Sequence, residues 1–357
     1  MFVYVSSFCE GAGGGVRVYS LASDSGALEF VQDVTEGARS ALYADTDPQQ
    51  RGLYVADSVT DCDGTPGGAV VAYAIDAASG RLTFLNRQPS GGTVPCYLSV
   101  DNTGGYVVAA NYGDGAVSVL PIQADGSLGQ IVSSARHQGS SVNEERQTGP
   151  HPHSIVLDPT NNYAYSADLG IDMIMMYRFD AADGSLSPTD PPHVSVKAGA
   201  GPRHFKIHPN RRHAFLITEL DNTIIRYSYE EASGNLTECQ TIPALPADYS
   251  EMSYCSEILI HPNGRFLYGS NRGHDSIVIG AIDEGTGELS VVGHEPTQGG
   301  FPRGFALDPS GRLLVAANEN GDSIYTFWVN ESSGTLEATG HSVEIIKPTG
   351  VKIVDLE

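Results

Sequence analysis

Residues 258–289 read ILIHPNGRFLYGSNRGHDSIVIGAIDEGTGEL. A short apolar run meets a polar turn, an alternating run follows, and a third run, SIVIGAID, ends in a turn with Gly287 and Leu289 two residues apart. Alternation with a period of two, broken by Gly, Pro, Asn and Asp, is the pattern of strands joined by tight turns. The same order returns along the chain. The first pair of runs recurs as LSVDNTGGYVVAAN, IVLDPTNNYAYSAD, FKIHPNRRHAFLIT and FALDPSGRLLVAAN, and the third as AVVAYAID, MIMMYRFD, TIIRYSYE and SIYTFWVN.

The Gly-x-Leu turn marks the period. It stands at Gly26, Gly80, Gly126, Gly184, Gly234, Gly287 and Gly334, with spacings of 54, 46, 58, 50, 53 and 47 residues in a chain of 357. Periods near this length belong to propeller blades and helical arrays. Amphipathic stretches with apolar positions at i, i+3, i+4 and i+7 between caps are not found, which sets helical arrays aside. Each copy carries four strands, the content of one blade, so the pattern predicts an all-β, seven-bladed β-propeller with four antiparallel strands per blade. The last copy is split. VKIVD near the C-terminus resembles the first strand of a copy, and FVYVSS, GVRVYS and ALEFVQ at the N-terminus supply the other three. Joining the two ends in one blade closes the ring without a free sheet edge.

No Pro/Ser-rich linker or like-charge block interrupts the copies, so residues 1–357 are expected to form a single domain. No apolar run approaches the ~18 residues of a membrane span. The opening residues MFVYVSSF lack the basic and long apolar regions of a signal peptide, and the cytoplasm is the expected location. Cysteines at 9, 62, 96, 239 and 255 form no C-x-x-C pair; reduced thiols are expected, although Cys9 and Cys62 occupy equivalent loops of neighbouring copies. With 20 basic and 43 acidic residues the net charge is −23, which disfavours nucleic acid and anionic membranes as partners. Only four of the basic residues are lysine, a bias that suggests adaptation to high salt. A closed ring needs no partner to cover an edge, so a monomer or weak homo-oligomer is expected.

The repeat also serves as a ruler. Five copies are numbered from an Asp or His at the end of the first strand: Asp101, Asp158, His208, His261 and Asp308. These markers read as turn caps, because Asp and His alike can bond the backbone that follows. In a propeller the first strand lines the central channel and the second runs back antiparallel. Residues five before the marker and ten or eleven after it therefore share one end of the ring, near the axis. The earlier positions hold Cys96, His153, Arg203, Ser256 and Arg303, with Glu257 next to Ser256; the later ones include Tyr112, Glu219, Arg272 and Glu319. His153, Arg203, Glu219, Glu257, Arg272 and Arg303 are thus predicted around one mouth. Any one of these arginines also fits a buried blade-to-blade ion pair. Three gathered at one opening of so acidic a chain argue for an anionic ligand. His151 and His153 lie two apart on an extended segment and point to opposite faces, so no metal site is expected, and no cofactor is implied.

His153-Ser154, GPRH with HPN (Gly201 to His204 and His208 to Asn210), TELDN (Thr218 to Asn222), SNRG (Ser270 to Gly273) and PRGF (Pro302 to Phe305) together resemble the seven-bladed lactonase propellers. That family includes propeller-type 6-phosphogluconolactonases and the fungal 3-carboxy-cis,cis-muconate lactonizing enzyme. The resemblance covers the whole chain. It implies a catalytic histidine, glutamate and two arginines at His153, Glu219, Arg203 and Arg272. Arg303, in the PRGF motif, places the chain nearer the gluconolactonase branch and implies hydrolysis of a sugar lactone.

On this reading Glu219 or His153 is the base for water and Arg203 stabilises the oxyanion, while Arg272 and Arg303 hold the substrate's phosphate or carboxylate and Glu257 orients one of them. No Gly-x-Ser-x-Gly elbow suggests a serine nucleophile. The alternatives are lactonisation of a muconate at the same arginines, or a non-enzymatic binding propeller, for which an apolar top face would be expected. Loops 58–68, 137–150 and 242–255 are longer than their counterparts and are expected to set substrate choice.

Overall fold

The structure, a computed structural model, describes residues 1–9 and 14–356. The described residues form seven four-stranded antiparallel sheets, one small hairpin (Asp61–Cys62 with Thr65–Pro66) and no helix. In six sheets the strands follow chain order. The seventh joins Pro348–Val354 to Phe2–Ser7, Gly15–Leu21 and Leu28–Val34, with Phe2 opposite Val354 and Val5 opposite Val351. The predicted seven-bladed propeller, closed by its two ends in one blade, is the observed fold.

Each turn glycine of the repeat has a left-handed backbone, from φ 66° at Gly80 to 86° at Gly126. Glycine adopts that region without strain, which explains its fixed place in the repeat. Tyrosines fasten these turns across the blades: Tyr4, Tyr54, Tyr165 and Tyr268 donate their hydroxyls to the carbonyls of Gly80, Gly126, Gly234 and Gly334. Thr326 closes the circle by donating to Gly26 O.

The core lies between adjacent sheets. Phe266, Tyr268 and Ile277 pack against Phe305, Leu314 and Phe327 of the next blade. The closing blade is gripped on both sides, by Val3, Val5 and Tyr19 against Leu313 and Ile324, and by Tyr4 and Val18 against Leu53 and Val71. Each such aromatic or branched side chain, fully buried, contributes about 1.5–3 kcal/mol of transfer free energy, so the ring is stabilised all round rather than at one centre.

The marker residues cap turns as expected. Asp101 accepts from the amides of Thr103, Gly105 and Tyr106, and Asp158 from those of Thr160, Asn162 and Tyr163. His208 and His261 accept from Asn210 N and Asn263 N at Nδ1 and donate from Nε2 to Gly264 O and Gly311 O of the following blade. Histidine therefore caps its own turn and ties it to the neighbour's.

Candidate active site

The innermost strands are Ala41–Thr46, Pro95–Val100, Pro152–Leu157, Pro202–Ile207, Tyr254–Ile260, Pro302–Leu307 and Pro348–Val354. Most begin with proline, which is tolerated at a strand's first residue because no ladder donor is lost there. Immediately after it the pairing slips. Pro152 faces Asp168 but Ser154 faces Ala167, and Pro202 faces Thr218 but His204 faces Ile217. His153 and Arg203 are thus the extra residues of β-bulges, as are Cys96 and Arg303 in their blades. A bulge re-aims the side chain that it carries. Here it turns each one towards the axis.

On the partner strand two adjacent positions divide the work. Asn111, Asp168, Thr218, Asn271 and Asn318 are buried and hold loop backbone: Asn111 donates to Ser90 O and Ala116 O, Asn271 to Ala244 O, and Asn318 to Thr297 O. The residue after each is free to serve the mouth. Glu219 and Arg272 do so.

Glu219 is the centre of the cluster. Its Oε2 receives Arg203 Nη1 and, at 2.9 Å, Arg272 Nη2, and its Oε1 receives Arg146 Nη2 at 2.6 Å. Arg203 Nη1 also donates to His153 Nε2, which lies 3.8 Å from Glu219 Oε2. Arg272 is fixed further by donating to Tyr254 O at 3.2 Å and Cys255 O at 3.1 Å, and it stacks over Phe301. Arg303 sits at the rim with Glu319 Oε2 3.5 Å away.

Burial raises the Glu219 carboxyl, but Arg272, Arg203, His153 and Arg146 together overcome it and hold the group well below the usual carboxylate range. His153 is pushed well below 6.5 by burial and by the Arg203 charge, against the pull of Glu219. It is therefore neutral at pH 7. Because Nε2 accepts from Arg203, the ring proton sits on Nδ1, which faces Cys96 Sγ at 3.6 Å. Burial and the Arg272 charge lower Arg203 as well, yet a guanidinium stays protonated. Its Nε–H is buried and has no hydrogen-bond partner among the described residues. Such an orphaned donor is rare and costly unless something is meant to accept from it.

His153, Arg203, Glu219 and Arg272 thus form one contiguous group, as the register places them, with Arg303 beside it. Glu257 departs from expectation. Its bulge holds two residues between Cys255 and Ile258. Ser256 donates to Arg303 O, while Glu257 points along the channel and takes the Nδ1–H of His204 at 2.8 Å. Among the described residues it pairs with no arginine, so it does not orient one. His151 donates from Nδ1 to Tyr112 O at 2.7 Å and stacks on the Tyr112 ring, which also meets the His153 ring edge-on at 5.2 Å. Cys62, Cys96, Cys239 and Cys255 are free thiols.

The register did not find Arg146, which comes from loop 137–150 and answers to no repeat position. Loop 242–255 reaches the site through Tyr254, whose ring faces both Arg146 and Arg272 at 6.0 Å. Loop 58–68 instead carries the small hairpin and binds its own blade through Asp63 and Arg87 Nε at 2.9 Å.

The family model described as Lactonase, 7-bladed beta-propeller matches residues 2–353. The chain belongs to this family. It is 38% identical over 305 residues to the 6-phosphogluconolactonase of Bacillus subtilis, covering 85% of this chain and 84% of that one. The 6-phosphogluconolactonase of Formosa agariphila is 32% identical over 316 residues, covering 86% of each. Among solved structures, the periplasmic gluconolactonase of Pseudomonas aeruginosa superposes with a TM-score of 0.91 at 31% identity, over 100% of this chain and 99% of the other. This lactonase-family enzyme has no helix, among its described residues, long and apolar enough to cross a membrane.

Proposed function

We propose that the protein hydrolyses an anionic sugar lactone of the 6-phosphogluconolactone kind in the cytoplasm, at the mouth formed by His153, Arg203, Glu219, Arg272 and Arg303. The observation that carries this reading is the buried Arg203, which has one nitrogen on His153 and Glu219 and an unpartnered Nε–H beside them. A lactone carbonyl oxygen that accepts from Arg203 gains charge as water attacks and keeps a fixed donor throughout. One such donor in a dry site is worth ~10²–10³ in rate.

His153 is the base. It is neutral at pH 7, whereas Glu219, clamped by three guanidinium groups, is too weakly basic to take a proton from water. On substrate binding Arg203 Nη1 gives up its hydrogen bond to His153 Nε2, whose single lone pair is then open. Water adds to the carbonyl carbon and gives its proton to that nitrogen; the bond from that carbon to the ring oxygen then breaks, and the ring oxygen takes the proton back. The acid formed ionises, so each turnover consumes one water and releases one proton.

Glu219 holds Arg203 and Arg272 in place, and Arg272, with donors committed to Glu219 and two backbone carbonyls, completes that clamp rather than binding substrate. Arg303, held only at 3.5 Å by Glu319, is left for the substrate's oxygens. Proton release from a panel of phosphorylated and plain aldonolactones tests the reading, and no rate above background for any of them would overturn it.

A further inference from the structure

Four arginines meet at the mouth, and they are not equivalent. The side chains of Arg203 and Arg272 are 3% and 6% exposed, whereas that of Arg146 is 34% exposed. Arg146 uses a single nitrogen for its contacts, Nη2 to Glu219 Oε1 at 2.6 Å and to Tyr112 OH at 3.3 Å. Among the described residues its Nε and Nη1 have no protein acceptor. It is therefore an anchored guanidinium with donors to spare at the entrance.

The loop that presents it is built to hold still. Gln147, wholly buried, donates from its side chain to Leu169 O at 2.8 Å and accepts from Asn143 N at 3.1 Å; its own amide returns to Asn143 O at 2.8 Å. Asn143 Oδ1 in turn accepts from the amides of Glu145 and Arg146, each at 3.0 Å. The turn is pinned from below by a buried amide, and Tyr112 and Tyr254 flank the guanidinium from different blades. A fixed fork loses little freedom when it engages a planar or tetrahedral oxyanion.

We propose that Arg146 is the specificity-determining residue that anchors the phosphate monoester of the substrate. The assignment rests on the lactonase reading above. Glu219 links the two ends of the site, with Arg203 on one carboxylate oxygen and Arg146 on the other. The reacting carbonyl and the remote anion of one ligand are thereby read by guanidinium groups on either side of one side chain. Arg146 sits on a loop, not on the repeat, so charge selection can vary while the clamp stays fixed.

The test measures binding of the two hydrolysis products, 6-phosphogluconate and gluconate, by calorimetry, so that it stands apart from turnover. The wild type binds 6-phosphogluconate at least tenfold more tightly than gluconate. Arg146→Gln removes most of that preference by weakening 6-phosphogluconate about tenfold or more, and by several-fold more than it weakens gluconate. Arg146→Lys keeps part of it. Arg136→Gln, which removes an exposed arginine paired with Asp114 and outside the Glu219 cluster, changes neither.

Equal binding of the two products by the wild type, or undiminished 6-phosphogluconate binding by a folded Arg146→Gln, overturns the assignment. Selective binding lost in Arg146→Gln but without turnover of any lactone would instead leave Arg146 as the phosphate anchor and overturn the lactonase reading.

Discussion

Arg272 Nη2 lies 2.9 Å from Glu219 Oε2, deep in a mouth where both side chains are almost wholly buried. Arg203 shares that oxygen and Arg146 takes the other, so one carboxylate balances three guanidinium groups contributed by different segments of the ring. Removing one partner of a buried pair costs about 3–5 kcal/mol because the charge left behind has no counterion. Glu219→Ala is therefore expected to destabilise the protein by about that amount, read as a lower midpoint in denaturant unfolding. Glu219→Gln keeps the shape and some acceptors, and is expected to fold while losing at least tenfold in lactone turnover. Wild-type stability in the first and wild-type rates in the second would be inconsistent with Glu219 as the clamp.

The acid limb of the pH–rate profile follows from His153. Its pKa is lowered by burial and by Arg203, so the neutral, base-competent form persists below pH 6.5. The rate then declines only as pH drops through the lowered value. With glucono-δ-lactone, which has no phosphate to titrate, kcat/KM is expected to be flat through pH 6.5 and to fall at lower pH. A half-maximal point at or above 6.5 would exclude His153, in this environment, as the base.

Ring closure depends on one C-terminal strand. Pro348–Val354 pairs with Phe2–Ser7 and is the innermost strand of its blade, and Val354 belongs to the core shared with the next blade. Deleting residues 348–357 exposes a sheet edge and uncovers apolar surface on two neighbours. The expected result is loss of the single cooperative thermal transition, or aggregation. A soluble truncated chain that melts at the wild-type temperature would show that closure contributes little.

The charge of −23 is expected to oppose compaction at low ionic strength. At 0.01 M salt the screening length is about 30 Å, and near 1 M it is about 3 Å. Melting temperature is thus expected to rise from low to molar potassium chloride. An unchanged value would remove the high-salt reading of the lysine-poor composition.

Much of this was legible in the sequence because a repeat fixes position as well as fold. Counting from Asp158 or His208 is enough to put His153 and Arg203 at one end of the axis and Glu219 beside them. The bulges were not visible, since an extra residue opposite one partner leaves no mark in an alternating pattern that restarts after proline. Glu257 shows the consequence. Next to Ser256 in the sequence, it turns along the channel to His204 instead of joining the arginines. Arg146 lay outside the ruler altogether. Loop 137–150 answers to no repeat position, and its path depends on Gln147 and Asn143, polar residues whose partners only tertiary structure reveals.

Arg203 is the residue on which the catalytic account turns, and its unpartnered Nε–H is the feature to test. The most direct measurement is proton release from 6-phosphogluconolactone by wild type and Arg203→Ala, with the product identified by NMR and folding checked by the thermal transition. The account predicts ring-opened aldonate from the wild type and a loss of at least tenfold in kcat from the folded variant, in line with an oxyanion donor. Wild-type turnover by a folded Arg203→Ala would contradict it.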